Sequence, residues 1–238
     1  MIKYKLFYLP YAGASTKTFK NIQNYLGDEI EAIVIDYPGH GERFCEDYVE
    51  TVEEICLDTY ERLKECNSEG LPYFIAGHCL GGLVAFELCH KIMELGEIAL
   101  PEKIFISGHN APDKIVEEHL NDKENSELLH YLYEQGAIGK EMLDESLLEL
   151  VSGFYIPPIR RDADVYDSYI CNLSRAKINV PISILYGEND WKCSMDGMKH
   201  WDDFTEKGIS MVGFPENHYF VISMQSEYFT EIKNEILA

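Results

Sequence analysis

No stretch of the 238-residue chain approaches the ~20 consecutive apolar residues that a membrane-spanning helix needs. The opening residues, MIKYKLFYLP, also lack the charged region and long apolar core of a secretory leader. Positive charge is scarce, with 20 Lys and Arg against 42 Asp and Glu, a net charge of −22. The cations form no basic stripe, so a phosphate backbone would be repelled and nucleic acid is excluded as a partner. None of the seven cysteines forms a C-x-x-C pair, and an odd total does not suit a disulfide framework. No Cys/His cluster has zinc-ligand spacing, so no metal is expected. These absences predict a monomeric protein of the reducing cytoplasm, with no membrane partner.

What is present is alternation. Short β-branched and aromatic runs occur at Lys5–Pro10, Ala32–Tyr37, Tyr73–Ala76, Lys103–Ser107, Ile182–Tyr186 and Ile209–Phe214. Each ends at or near Gly or Pro, and several are apolar almost throughout, as strands buried on both faces of a parallel sheet are. Helical periodicity fills the intervals at Thr51–Cys66 and Leu80–Leu95, with Gly96 placed to cap the second. This order predicts an α/β fold with a mostly parallel, doubly wound sheet. From about Asn110 to Asn179 the strand signal stops, and helical pieces are predicted over Asn125–Gln135, Lys140–Val151 and Arg161–Asn172. Connections in α/β units are usually much shorter. Residues 1–109 and 180–238 are therefore expected to form the core, and 110–179 a helical lid insertion. Of its aromatic residues Tyr131, Tyr133, Phe154, Tyr155, Tyr166 and Tyr169, some could line an acyl channel and the rest hold the insertion together.

The sharpest signal is Gly77-His78-Cys79-Leu80-Gly81-Gly82, between the run YFIA and the helix LVAFELCHKIMEL. A G-x-nucleophile-x-G elbow requires this strand-turn-helix context, and it makes the α/β-hydrolase fold the expectation. The turn would aim Cys79 off the C-terminal edge of the sheet, and side chains at Gly77 and Gly81 would collide with the adjoining strand and helix. The helix N-terminus favours negative charge on a thiolate or an oxyanion. In this fold an acid and then a base follow the nucleophile along the chain. Asp190 follows the strand ISILY and His218 follows ISMVGF, both in loops just past strand ends. His109 is a weaker base and Glu188 a rival acid. His78, adjacent to the nucleophile, should point elsewhere, and Asp196 and His200 read as polar positions of a surface helix. The oxyanion hole is expected to use the backbone N–H groups of Leu80 and Ala12, the latter in the loop Pro10–Ser15.

With these residues placed, the chain resembles the type II thioesterases of nonribosomal peptide and polyketide synthesis over nearly its whole length. LFYLPYAGAS, over Leu6–Ser15, is close to that family's "PYAGG" opening. PGHGERF, over Pro38–Phe44, is close to "PGRGERF", and GHCLGG to "GHSMGG/A". Arg160-Arg161-Asp162 with Asp167-Ser168-Tyr169 fits "LRAD…ETY". The resemblance implies an α/β-hydrolase that cleaves acyl or peptidyl thioesters from the phosphopantetheine arm of a carrier protein. It implies a mobile lid, no cofactor, and Cys79, Asp190 and His218 as nucleophile, acid and base. Two departures stand out: Ala14 replaces the second loop glycine, and Cys79 replaces serine.

The cysteine changes the chemistry. A thiol near a histidine and a helix N-terminus can ionise before substrate arrives, whereas serine must lose its proton during attack. Transfer from a carrier thioester to Cys79 exchanges one thioester for another. Water would then release an acid, and an amine would give an amide or lactam; the family precedent favours water. Two rivals remain at this level, a cysteine hydrolase of small esters or lactones and a non-catalytic carrier-binding protein. Carrier docking is expected to use an apolar patch with local cations, with Arg160, Arg161 and Lys177 as candidates.

Overall fold

The apolar runs assemble into one six-stranded sheet. The computed structural model describes residues 1–117 and 119–238, and all their side chains except those of Glu145 and Leu148. The strands are β1 (Tyr4–Leu9), β2 (Ile30–Val34), β3 (Tyr73–His78), β4 (Ile104–Ser107), β5 (Ile182–Gly187) and β6 (Ile209–Phe214). Their order is β2-β1-β3-β4-β5-β6, and every neighbouring pair is parallel. The chain leaves β1 toward β2 and returns on its other side at β3. At such a reversal the loops at the strand C-termini part and open a crevice.

Among the described residues the helices are α1 (Gln23–Leu26), α2 (Val52–Cys66), α3 (Leu80–Leu95), α4 (Asn125–Glu134), α5 (Leu148–Phe154), α6 (Ile156–Asp167), α7 (Met195–Lys199), α8 (Phe220–Ser223) and α9 (Gln225–Leu237). Both sheet faces are covered, which explains the near-continuous apolar strands. On one face Ile55, Tyr60, Leu83 and Phe86 from α2 and α3 pack with Trp201. On the other, Phe19, Tyr228, Phe229 and Ile232 pack against Leu6 and Tyr8. Thr51 caps α2 by accepting the Glu54 N–H, and Gly96 ends α3 in the left-handed region at φ 66°.

The second strand begins two residues earlier and ends three residues earlier than its apolar run suggests. Ile35 still donates its N–H to the Tyr8 carbonyl at 3.0 Å, and then the chain turns out at Asp36. The Asp36 carboxylate accepts from the Thr16 N–H and hydroxyl at 2.6 and 2.9 Å and from the Glu42 N–H at 2.9 Å, tying the connection after β2 to the loop after β1.

Between β4 and β5 the chain leaves the sheet for α4, α5 and α6, which share a small core of their own including Leu128, Leu132, Ile156 and Ile159. Two helices expected here differ. In place of one helix over Lys140–Val151 stand short 3-10 turns, Lys140–Leu143 and Glu145–Leu147, followed by α5. The cause is Asp144, whose carboxylate takes the Ser146 N–H and hydroxyl at 2.8 and 2.7 Å and so competes with helical bonding. The helix expected over Arg161–Asn172 instead runs Ile156–Asp167. It takes Pro157 and Pro158 into its first turn, where a missing N–H costs nothing.

The tightest crossing is where α3 leaves β3. A Cβ on Gly77 would drive into the Gly81 carbonyl, and one on Gly81 into the Leu9 carbonyl of β1. Because the obstruction is backbone, Gly81→Ala is expected to lower the unfolding free energy by about 1–3 kcal/mol, read from urea denaturation.

Candidate active site

The turn between β3 and α3 sets Cys79 at φ 52° and ψ −117°, and only two described non-glycine residues have a positive φ. Such backbone is strained, and here it is held by the Cys79 N–H bonding to the Ser107 carbonyl of β4 at 2.8 Å. The side chain is thereby raised off the sheet's edge at the N-terminus of the 16-residue α3. Leu80 opens that helix, so its N–H has no intrahelical acceptor.

Asp190 lies three residues past β5 and His218 four past β6. Backbone bonds stitch their loops together, Glu188 N–H to the Phe214 carbonyl at 2.8 Å and Asn189 N–H to the Glu216 carbonyl at 2.9 Å. The result is a 2.8 Å contact between Asp190 Oδ2 and His218 Nδ1, both side chains fully buried. Asp190 Oδ1 accepts from the Lys192 and Cys193 N–H groups at 2.8 and 3.3 Å. Burial alone would raise the Asp190 pKa, but His218 and the two amides outweigh it, and the carboxyl lies below its ordinary range. Asp190 is thus an anion at neutral pH, oriented on one imidazole nitrogen.

Cys79 and His218 line a cavity of about 390 Å³ together with His109, Tyr131, Trp191 and Cys193. A narrow pocket of about 30 Å³ continues from Cys79 past Ala12, Leu80, Ile159 and Tyr166. The residues singled out from the sequence, Cys79, Leu80, Ala12, Asp190 and His218, therefore meet at one place. A cavity of about 460 Å³ on another side, lined by Glu53, Glu87, Arg175 and others, touches none of them. Of the six aromatic residues of the insertion, Tyr131 and Tyr166 face the 390 Å³ cavity. Tyr133 and Phe154 are exposed, and Tyr169 donates to Glu87 at 2.6 Å away from it.

The rivals fall elsewhere. Glu188 is exposed. His109 is buried, with Nδ1 against the Asn110 carbonyl and its ring on Tyr166 and Trp201, and burial pushes its pKa down to about 4. His78 points beneath the site. Its Nδ1 meets the Ser107 hydroxyl at 3.0 Å, and its ring packs 4.8 Å from that of His218. Burial, with His218 and Lys192 nearby, holds it well below its ordinary pKa, so it gives His218 a polar but uncharged floor. Asp196 and His200 do lie on α7 and the 3-10 turn after it, and His200 Nε2 meets Asp113 at 3.0 Å. Arg160, expected at a docking surface, instead holds the insertion together through the Leu120 and Lys123 carbonyls at 3.1 and 2.6 Å. Lys177 donates to the Asp202 carbonyl at 3.3 Å.

One arrangement has no signal in the sequence, although the strings PGHGERF and Arg160-Arg161-Asp162 carry it. Asp162 of α6 accepts the Gly13 N–H at 2.7 Å, next to Ala12, and His40 Nε2 lies 3.0 Å from the same oxygen. The approach of His40 is oblique, a charge contact more than an aligned hydrogen bond. Both side chains are nearly fully buried. Gly13, at φ 75°, has no room for a side chain, because a Cβ would strike Ile159 of α6. The pair thus seats α6 directly on the loop after β1.

Residues 4–237 match the protein family described as "Thioesterase domain". Thioesterase PikA5 of Streptomyces venezuelae is 27% identical over 234 residues, covering 98% of this chain and 81% of the relative. The gramicidin S biosynthesis protein GrsT of Aneurinibacillus migulanus is 24% identical over 226 residues, 94% and 86% of the two chains. Among solved structures, ClbQ from the colibactin NRPS/PKS pathway superposes with a TM-score of 0.89 at 24% identity, covering 98% of this chain and 97% of its own. The type II thioesterase BorB from the borrelidin biosynthetic cluster gives 0.84 at 22%, covering 97% and 91%. The fold they share with this chain is that of the α/β-hydrolases.

The buried His40–Asp162 contact should make stability depend on pH. Burial pulls the His40 pKa down, but Asp162, the Pro38 carbonyl and Asp36 outweigh it, and the net value is raised. A raised histidine contributes fully below its unfolded pKa of about 6.5 and loses that contribution as pH climbs through the higher folded value. The difference in melting temperature between wild type and His40→Asn is therefore expected to be largest near pH 5.5 and to shrink toward pH 9, read by thermal denaturation.

Proposed function

The chain belongs to the thioesterase domain family and is an α/β-fold hydrolase of thioesters, and from that premise we propose a type II thioesterase of nonribosomal peptide or polyketide synthesis. Its substrate is an acyl or peptidyl thioester on the phosphopantetheine arm of a carrier protein, and its chemistry runs through acyl-Cys79. The observation that carries the reading is the buried 2.8 Å Asp190–His218 contact beside the Cys79 elbow, in a chain that matches the family over 4–237. The names of its relatives, which include a gramicidin S biosynthesis protein, support the pathway class.

The geometry supports the following sequence of steps. His218 takes the Cys79 proton while Asp190, an anion, keeps the other ring nitrogen protonated and aimed. The sulfur attacks the thioester carbonyl at the helix N-terminus. The oxyanion lies between the N–H groups of Leu80 and Ala12. Collapse breaks the carbon–sulfur bond to the arm, and the departing thiolate takes the proton from His218. Water, deprotonated by His218, then attacks acyl-Cys79 and gives a carboxylic acid and the free enzyme thiol. One water is consumed, and one acid and one arm thiol are formed. Residues 110–179 act as the lid, with Tyr131 and Tyr166 presented to the acyl group. Their shared small core, which includes Ile156 and Ile159 of α6, fits a unit that covers the site.

Incubation with an acyl-loaded carrier is expected to give free carrier and a carboxylic acid by intact-mass analysis, with an acyl adduct on Cys79 at early times. Recovery of an amide instead would assign transfer to an amine, and neither acyl loss nor an adduct would sink the thioesterase reading. Cys79→Ala is expected to lower kcat at least about a thousandfold, and Asp190→Asn by roughly 10³–10⁴ through loss of the oriented tautomer.

A further inference from the structure

We propose that Lys123 and Lys192 form a clamp for the phosphodiester of the acyl-bearing arm, at the rim of the cavity that ends on Cys79. The proposal rests on the carrier-thioester reading and adds to it the residues that recognise the arm.

The two lysines come from distant parts of the chain. Lys123 closes a 3-10 turn just before α4, in the insertion, and Lys192 lies in the loop after β5, in the core. Both nevertheless line the cavity that holds Cys79 and His218. Each ammonium rides on an aromatic ring, Lys123 Nζ at 5.3 Å from the Tyr131 centroid and Lys192 Nζ at 5.9 Å from that of Trp191. The rings meet edge to face at 6.1 Å, so the two cations sit on one joined platform. Trp191 is 55% exposed, which places that platform at the entrance.

The charge pattern is selective. The chain has about two acids for every base, yet among the described residues two lysines converge on this rim, with Glu117 beside them. The field of Lys192 reaches the floor, where it adds to the forces that keep His78 and His109 unprotonated. An ammonium is a compact point charge with three donors and suits a phosphate oxygen. The aromatic faces restrain both flexible stems. The proposed substrate is bipolar: its thioester carbonyl must reach Cys79, while its phosphodiester, joined to the carrier, must stay outside. A cationic rim above an uncharged histidine floor matches that polarity.

The test compares three thioesters of one acyl group: on N-acetylcysteamine, which has no phosphate, on phosphopantetheine, and on the loaded carrier. Wild type is expected to show a lower KM for the phosphopantetheine thioester than for the phosphate-free one. Lys123→Gln and Lys192→Gln are each expected to reduce that preference about tenfold, the size of one charge-assisted hydrogen bond. The effect should lie in KM with kcat little changed, and added salt should mimic it. An unaltered preference overturns the clamp. So does a loss confined to the loaded carrier, which would assign the lysines to the carrier's acidic surface. Calorimetry with phosphopantetheine and with pantetheine separates this proposal from the catalytic one. If no thioester is cleaved but phosphate-dependent binding is present and is lost in both variants, the clamp stands and the thioesterase reading falls. Equal binding of the two ligands overturns the clamp whatever the catalytic result.

Discussion

Everything in the site depends on the backbone of Cys79 being forced to positive φ. An L-residue adopts that conformation only when its neighbours leave no alternative. Here the constraint is a three-way crossing of β3, α3 and β1, so close that Gly77 and Gly81 touch backbone where a side chain would be. The same geometry lifts the Cys79 side chain clear of the sheet and directs the first N–H groups of α3 at whatever binds beside it. Since the crossing lies at the reversal between β1 and β3, the loop carrying Ala12 is delivered to the same spot. The strain at one residue and the switch in strand order are therefore two views of one arrangement.

Around that point the protein controls charge by burial. Asp190 can remain an anion with its side chain out of water because three donors meet it, His218 and two backbone amides. His78 and His109, equally buried, have no comparable compensation and are held neutral. Of the three histidines at the cavity floor, only His218 is coupled to a carboxylate, which is a physical reason for assigning the proton transfers to it. Cys193 lies close to this pair, and burial with Asp190 nearby drives its thiol well above the ordinary pKa. The second cysteine of the cavity is thus held as a thiol.

Much of this was legible in the sequence because it rests on local rules. Apolar runs gave all six strands, two glycines flanking Cys79 gave the turn, and the order of Asp190 and His218 after strand ends gave their meeting. Legibility failed where local signals compete or where a partner is distant. Pro157 and Pro158 look like helix breakers but occupy the first turn of α6, and Asp144 diverts a helical pattern into turns. Arg160 reads as a free surface cation, yet its guanidinium is spent on carbonyls some 40 positions away. The contact of His40 with Asp162 spans the core and the insertion, and nothing in the spacing of either string announces it.

That contact decides how the insertion can behave. Helix α6 is locked to the core by the charge contact to His40, by the Asp162–Gly13 bond, and by Ile159 filling the space over Gly13. Breaking a buried pair of this kind by removing one partner is costly, so α6 has to be counted with the core. From α6, Arg160 reaches back to the Lys123 carbonyl and to Asn125 at the start of α4. A continuous set of buried and half-buried polar contacts thus runs from the loop of Ala12, through Asp162 and Arg160, to the segment that presents Lys123 at the rim. The loop of Ala12 and the segment of Lys123 are therefore held by two residues of one helix turn, Asp162 and Arg160. An arm gripped at the rim is in this way kept in register with the place where its carbonyl must react.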